Sequence, residues 1–190
     1  MSVQLNIKEI LEYIGEDTER EGLIGTPDRV QRMYKEIFRG YNIEEKPRVT
    51  VFPNGEDGFT VDNMIVDTGT YYSMCEHHMM PFFGRYTFAY IPHHKGLILG
   101  LSKVARMVGY YSARLQIQER LTEQILNELY SSLTKDLKYK APLGMALSMK
   151  GLHLCKTMRG VKNNGEMTTT KLVGMMKTDI MARNEFIRLI

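Results

Sequence analysis

Ile7, Ile10, Leu11 and Ile14 recur at the three- and four-residue spacing of one helix face, and Gly15 stands where such a helix would stop. The polar stretch from Glu16 to Gly25 reads as a loop or short turn. Thr26-Pro27 then predicts an N-cap with proline at the first helical position, and Asp28 suits the first turn. Val30, Met33, Tyr34, Ile37 and Phe38 make a second apolar stripe, closed by Gly40. These helices predict an N-terminal helical region over residues 1–46, appended to a larger unit over 47–190.

The pattern changes at Arg48. Val49, Val51, Val61, Ile65-Val66 and Tyr86 to Ile91 are short β-type runs, broken by Asn54-Gly55, Asp57-Gly58 and Pro92. Ser102 predicts the cap of a helix running toward Leu115, buried through Val104, Met107, Val108 and Tyr111. A further helix, Gln118 to Leu133, carries Leu121, Ile125, Leu129 and Leu133 on its core side. Leu143 to Cys155 returns to strand character, and the tail passes from a β-type run at Thr168 to a short helix from Ala182 to Leu189. This order predicts an α+β domain, an antiparallel sheet backed by paired helices.

Composition narrows the class. The chain has 190 residues, 43% hydrophobic and 25% charged, which suits a folded domain rather than a disordered one. No basic segment followed by an apolar run opens the chain, and no stretch approaches membrane-spanning length, so a cytoplasmic, reducing setting is expected. A net charge of +3 gives no reason to expect nucleic acid or a membrane as partner. The 14 methionines and absent tryptophan are accounted for by core filling.

Candidate chemistry centres on Ser73-Met74-Cys75-Glu76-His77-His78. A thiol and an imidazole at i and i+3 can face one point in a tight turn, the spacing at which short loops offer two ligands to Zn²⁺. The only other cysteine, Cys155, follows His153 by two residues, and in an extended run both would share a face. Cys75, His78 and Cys155 around one ion with an open fourth position would be a catalytic arrangement. Two buried thiols without a metal, or a disulfide, are the plainer alternatives. Lys103 and Arg106 at a helix start suit phosphate, and Gln118-Glu119 could read the edge of a purine; exposed charges are the commoner outcome for such pairs. Arg29 and Arg32 lie off their helix's apolar stripe, as solvated charges do.

In the order in which they occur, several blocks resemble GTP cyclohydrolase I over nearly all of Glu21 to Ile190. They are Cys75-Glu76-His77-His78 with Pro81-Phe82, Ala89-Tyr90-Ile91-Pro92, Gly100-Leu101-Ser102-Lys103-Val104-Ala105-Arg106, Arg114 through Thr122, His153-Leu154-Cys155 with Met158-Arg159-Gly160-Val161, and Thr168-Thr169-Thr170. The resemblance implies the tunnelling fold, with sheets of several subunits pooled into a barrel, a homodecamer of two pentamers, and active sites between subunits. It implies Cys75, His78 and Cys155 as Zn²⁺ ligands, His77 and His153 as an acid–base pair, and Gln118 and Glu119 as guanine-reading residues. It places Ser102 in the catalytic set. It gives Leu101, Lys103, Arg106 and Arg159 as substrate contacts, with Arg29 and Arg32 reaching the phosphates from another subunit.

The implied reaction is hydrolysis of GTP at C8, releasing formate and giving 7,8-dihydroneopterin triphosphate. Lys171 and Met175-Met176 depart from the family pattern, which bears on packing of the terminal segment. A nitrile reductase of deazaguanine metabolism is the rival in the same fold group. It would need a nucleophilic cysteine and a nicotinamide cofactor.

Overall fold

The computed structural model describes residues 3–190, with side chains from Asn6 onward. Helix α1 (Val3–Tyr13), a single turn α2 (Glu21–Ile24) and α3 (Thr26–Ile37) open the chain, followed by 3₁₀ turns at Arg39–Tyr41 and Ile43–Glu45. The stretch expected to be a loop or short turn holds one helical turn. Thr26 is not the cap. Gly25 occupies that position without a side-chain bond, and Thr26 Oγ1 instead accepts from Arg29 Nη2 at 2.9 Å. The apolar stripe of α3 has no fully buried residue, because a cavity of about 700 Å³ separates Met33, Tyr34 and Ile37 from the sheet.

Strands β1 (Val51–Pro53) and β4 (Leu97–Leu99) form a small antiparallel pair. The main sheet contains β2 (Ile65–Cys75), β3 (Pro81–Ile91), β5 (Leu115–Gln116), β6 (Gly144–His153) and β7 (Met167–Gly174) in the order β5-β2-β3-β6-β7. It is antiparallel except for the two-residue β5, which lies parallel to the end of β2. Val49 and Val61 fall outside strands. Conversely β2 runs ten residues beyond Ile65, through a polar segment whose apolar pattern is weak. What makes it a strand is ladder pairing to β3 along its length, with Tyr71, Ser73 and Cys75 turned inward.

Side-chain alternation sorts the two faces of the sheet. Phe82, Tyr86, Phe88 and Tyr90 of β3 and Met145, Leu147 and Met149 of β6 face one way. There they meet helices α4 (Lys103–Ser112) and α5 (Gln118–Thr134) in one core with Met107, Leu121, Ile125, Leu129 and Leu133. Burying each such side chain contributes about 1.5–3 kcal/mol. Ala89 and Ala146 face the other way, against Met176, Ala182 and Phe186 of the terminal turns α7 (Met175–Thr178) and α8 (Ile180–Ile187). Helix α4 stops at Ser112 rather than near Leu115, since Leu115 is taken up by β5. Met175 and Met176 form the turn α7 ahead of the final helix.

The N-terminal region is anchored at Gly40. Its N–H donates to Ala113 O at 3.0 Å and its carbonyl accepts from Arg114 Nε at 2.7 Å. A Cβ there would lie 2.2 Å from Tyr110 O, so only glycine allows the approach. Lys46 pairs with Glu128 of α5 at 2.8 Å, and Tyr111 donates to the same carboxylate oxygen, also at 2.8 Å.

Candidate metal and purine site

Cys75 is the last residue of β2, and residues 76–80 turn the chain into β3. That turn is tightly bonded: Cys75 N–H donates to Met80 O and Met79 N–H to Cys75 O, both at 2.8 Å. Met79 takes a left-handed φ of 52° to close it, an uncommon conformation for a residue with a Cβ. The register places Phe82 opposite His153, so the turn lies beside the end of β6. Cys155 follows on α6 (Leu154–Thr157), a single helical turn rather than a continued strand. The strand-alternation reason for expecting His153 and Cys155 on one face is thus replaced by another. The chain curls immediately after His153 and brings the thiol back over the hairpin.

The ligand atoms of Cys75, His78 and Cys155 lie within 4.8 Å of one another, the one such group of three found among the described residues. Both cysteines are free thiols, so the disulfide alternative does not hold. Burial, then the neighbouring Cys75 thiol, pushes the Cys155 thiol above its ordinary value. Two thiols and an imidazole converging from two fixed segments fit the donor set of a zinc-type site. Arg159 Nη1 lies 2.9 Å from His78 Nε2. A guanidinium only donates, so the lone pair of Nε2 faces Arg159.

Around this cluster, His77 is exposed, with Nδ1 3.9 Å from Cys75 Sγ. Glu76 is held by Arg120, which also reaches Gln116 Oε1 at 3.0 Å; the ion pair keeps the Glu76 carboxyl below its usual range. His153 stacks on Phe82 with ring centroids 4.5 Å apart and planes 7° from parallel. Burial holds its pKa below the ordinary value, while the nearby Glu119 charge acts the other way. Glu119 itself is exposed in the first turn of α5. Gln118, beside it, is 1% exposed, and its side-chain amide is bonded within the protein.

The remaining candidates lie elsewhere. Ser102, at the N-cap of α4 with no side-chain cap bond, and Arg106 line a cleft of about 510 Å³ with Arg39, Glu45 and Tyr110. Neither cysteine lines it. Leu101 is 89% exposed and Lys103 half-buried. Arg29 donates to Gly22 O and Thr26 Oγ1, and Arg32 pairs with Asp28, all on the exposed side of α3. Sequence reasoning gave no role to Tyr71, nor to Phe82 and Arg120, although the last two lie in blocks that carry the resemblance; their importance comes from contacts 44 to 71 residues away in the chain.

A helix-backed antiparallel sheet with a Cys–His–Cys cluster at the end of its strands is consistent with a tunnelling-fold hydrolase. The family model for GTP cyclohydrolase I matches residues 3–190, and the chain belongs to that family. A "GTP cyclohydrolase 1" of Caldanaerobacter subterraneus subsp. tengcongensis is 47% identical over 185 residues, covering 97% of this chain and 93% of the relative. Those of Leptospira biflexa and Streptococcus mutans are each 43% identical, over 97% and 100% of this chain and 95% and 96% of theirs. Among solved structures, an archaeosine synthase QueF-like protein in its apo form aligns over 58% of this chain and 93% of its own, with 16% identity and a TM-score of 0.44. No described helix is long and apolar enough to cross a membrane.

Proposed function

We propose that this protein is a zinc-dependent GTP cyclohydrolase I that opens the imidazole ring of GTP at C8, releases formate and yields 7,8-dihydroneopterin triphosphate. The observation that carries this reading is the Cys75–His78–Cys155 cluster with His153 and Glu119 at its side, in a chain of this family. Cys75, His78 and Cys155 hold the ion. When bound, it supplies a Lewis acid and a water acidified to a pKa of about 7.

The chain's own groups do the rest. The exposed Glu119 carboxylate accepts from the N1 and N2 edge of guanine, fixing which ring carbon faces the metal site. His77, exposed beside the cluster, gives a proton to N7 as the ring opens. His153, whose charged form burial disfavours, exchanges a second proton with the substrate. Arg159, Lys103 and Arg106 bind the triphosphate, and Ser102 the ribose, with Leu101 against the substrate. Because the cleft lined by Ser102 and Arg106 contains none of the cluster's residues, those two contacts reach the cluster from a neighbouring copy, and Arg29 and Arg32 extend the anion site in the same way. This is why a homo-oligomer, a decamer in this reading, is required for activity in the cytoplasm. Binding energy from the unreactive triphosphate then positions the base.

The test is direct. Zinc-loaded protein given GTP must release formate and a pterin that fluoresces after oxidation, and chelation must stop both. GTP turnover without formate would sink the reading.

A further inference from the structure

The resemblance assigns Gln118 to guanine, but its side chain is fully engaged inside the protein. The amide nitrogen lies 2.8 Å from Met149 O, 3.0 Å from Met167 O and 3.2 Å from Thr169 Oγ1. Two of these are carbonyl oxygens, which only accept, so the orientation of the amide is forced rather than chosen. The hydroxyl partners agree. Thr122 donates to Gln118 O at 2.8 Å, leaving Thr169, 2.6 Å from Thr122, to donate to it and to accept from the Gln118 amide.

The amide oxygen therefore faces the other two neighbours as an acceptor. Tyr71 donates to it at 3.0 Å, and burial raises that phenol well above its ordinary value, so it stays a donor. The second neighbour is His153 Nε2, at 2.9 Å. Facing an oxygen that can only accept, Nε2 must carry the proton. Stacking on Phe82 fixes the plane of the ring, and a flip within that plane would set a C–H in place of Nε2 against the amide oxygen and lose this bond. Gly151 completes the arrangement: a Cβ there would come within 2.3 Å of the Tyr71 hydroxyl and 2.8 Å of the amide oxygen.

We infer that Gln118 is a positioning residue that fixes His153 in its Nε2–H tautomer and leaves Nδ1 as the only ring nitrogen able to take or give a proton during the reaction. The guanine edge then falls to Glu119 alone among the side chains of this pair. The assignment rests on the cyclohydrolase reading for its catalytic meaning, but not for its structural content. Zinc-loaded protein labelled with ring-¹⁵N histidine tests the latter. The His153 signals are identified among the five histidines by their loss in His153→Asn. The expected spectrum has a protonated Nε2 and a bare Nδ1 in the neutral ring. A Nδ1–H ring, or a mixture of both, overturns the inference whether or not the protein hydrolyses GTP.

Kinetics then separates positioning from base reading. With GTP, Gln118→Leu should lower kcat by about 100-fold, the scale of one general acid–base group, and leave KM within about threefold. Gln118→Glu, which when protonated can still donate to Met149 O and present an oxygen to His153, should recover part of the loss. Tyr71→Phe removes only one donor from the amide oxygen and keeps the test alive if the leucine variant does not fold. It should lower kcat by roughly threefold to tenfold at unchanged KM. A KM raised about tenfold or more with kcat intact, in Gln118→Leu or Tyr71→Phe, would return Gln118 to the guanine site and overturn the inference.

Discussion

The end of the sheet and the cation-bearing helices treat polar groups in opposite ways. Around His153, buried polar atoms are bonded to one another: Gln118, Tyr71, Thr122 and Thr169 form a closed network, and Arg120 pins the ligand turn through Glu76. Along α3, Arg29 and Arg32 lie at the surface with local partners, and at the start of α4 Ser102 and Arg106 line an open cleft. On the proposed function, the contrast follows from what each region would bind. Proton transfer and metal binding need a fixed geometry, which a pre-set rigid frame supplies. A flexible triphosphate is held by charge, for which long solvated side chains suffice.

Breaking the rigid region should cost most. Cys155→Ser should lower GTP turnover by at least about a thousandfold and remove bound zinc, read by elemental analysis, while the melting transition persists. Retained zinc at full stoichiometry would mean that Cys155 is not a ligand. Damage to the surface region should be milder. Arg106→Ala should raise KM for GTP about tenfold with kcat changed less than twofold, and its gap from the parent should narrow as salt is added, because salt screens the charge only the parent carries.

The seam between the two regions gives a pH signature. Burial alone would raise the Glu128 carboxyl, but bonds from Lys46 and Tyr111 outweigh it and hold it below 4.5; the same bond, against burial, raises Lys46 above 10.5. Stabilisation from Glu128 is therefore present above pH 4.5 and fades as pH falls through its lowered value. That from Lys46 is present below pH 10.5 and fades as pH rises through its raised value. Lys46→Met should lower stability by roughly 1 kcal/mol at pH 7, and the difference from the parent should shrink in acid, as followed by thermal melts. Arg32→Ala sits at the small end. Its pair with Asp28 is exposed, so stability should change by less than about 0.5 kcal/mol in denaturant titrations. A larger loss would show that the pair is buried by a neighbouring copy.

Local periodicity made the helices legible. Leu121, Ile125, Leu129 and Leu133 announce α5 almost to the residue, because an amphipathic helix writes its core face into its own sequence. Strand β2 was nearly illegible. Its Asp67 and Gly69 are poor strand formers that interrupt the favourable Thr68 and Thr70, and pairing with β3 keeps the segment extended. The meeting of Cys75, His78 and Cys155 could be read from residue types and spacing, yet the run holding Cys155 is not extended. A helical turn, not strand alternation, brings it to Cys75 and His78.

By itself the sequence determined what each segment could be and which atoms could hold a metal, since both depend on side-chain chemistry and short spacings. The tertiary structure decided which of those atoms meet. It set Gln118 against His153 across 35 residues and put Arg106 and Ser102 in a cleft that neither cysteine lines. Such pairings depend on sheet register and helix docking, which are settled by the packing of the whole chain rather than by any stretch of it.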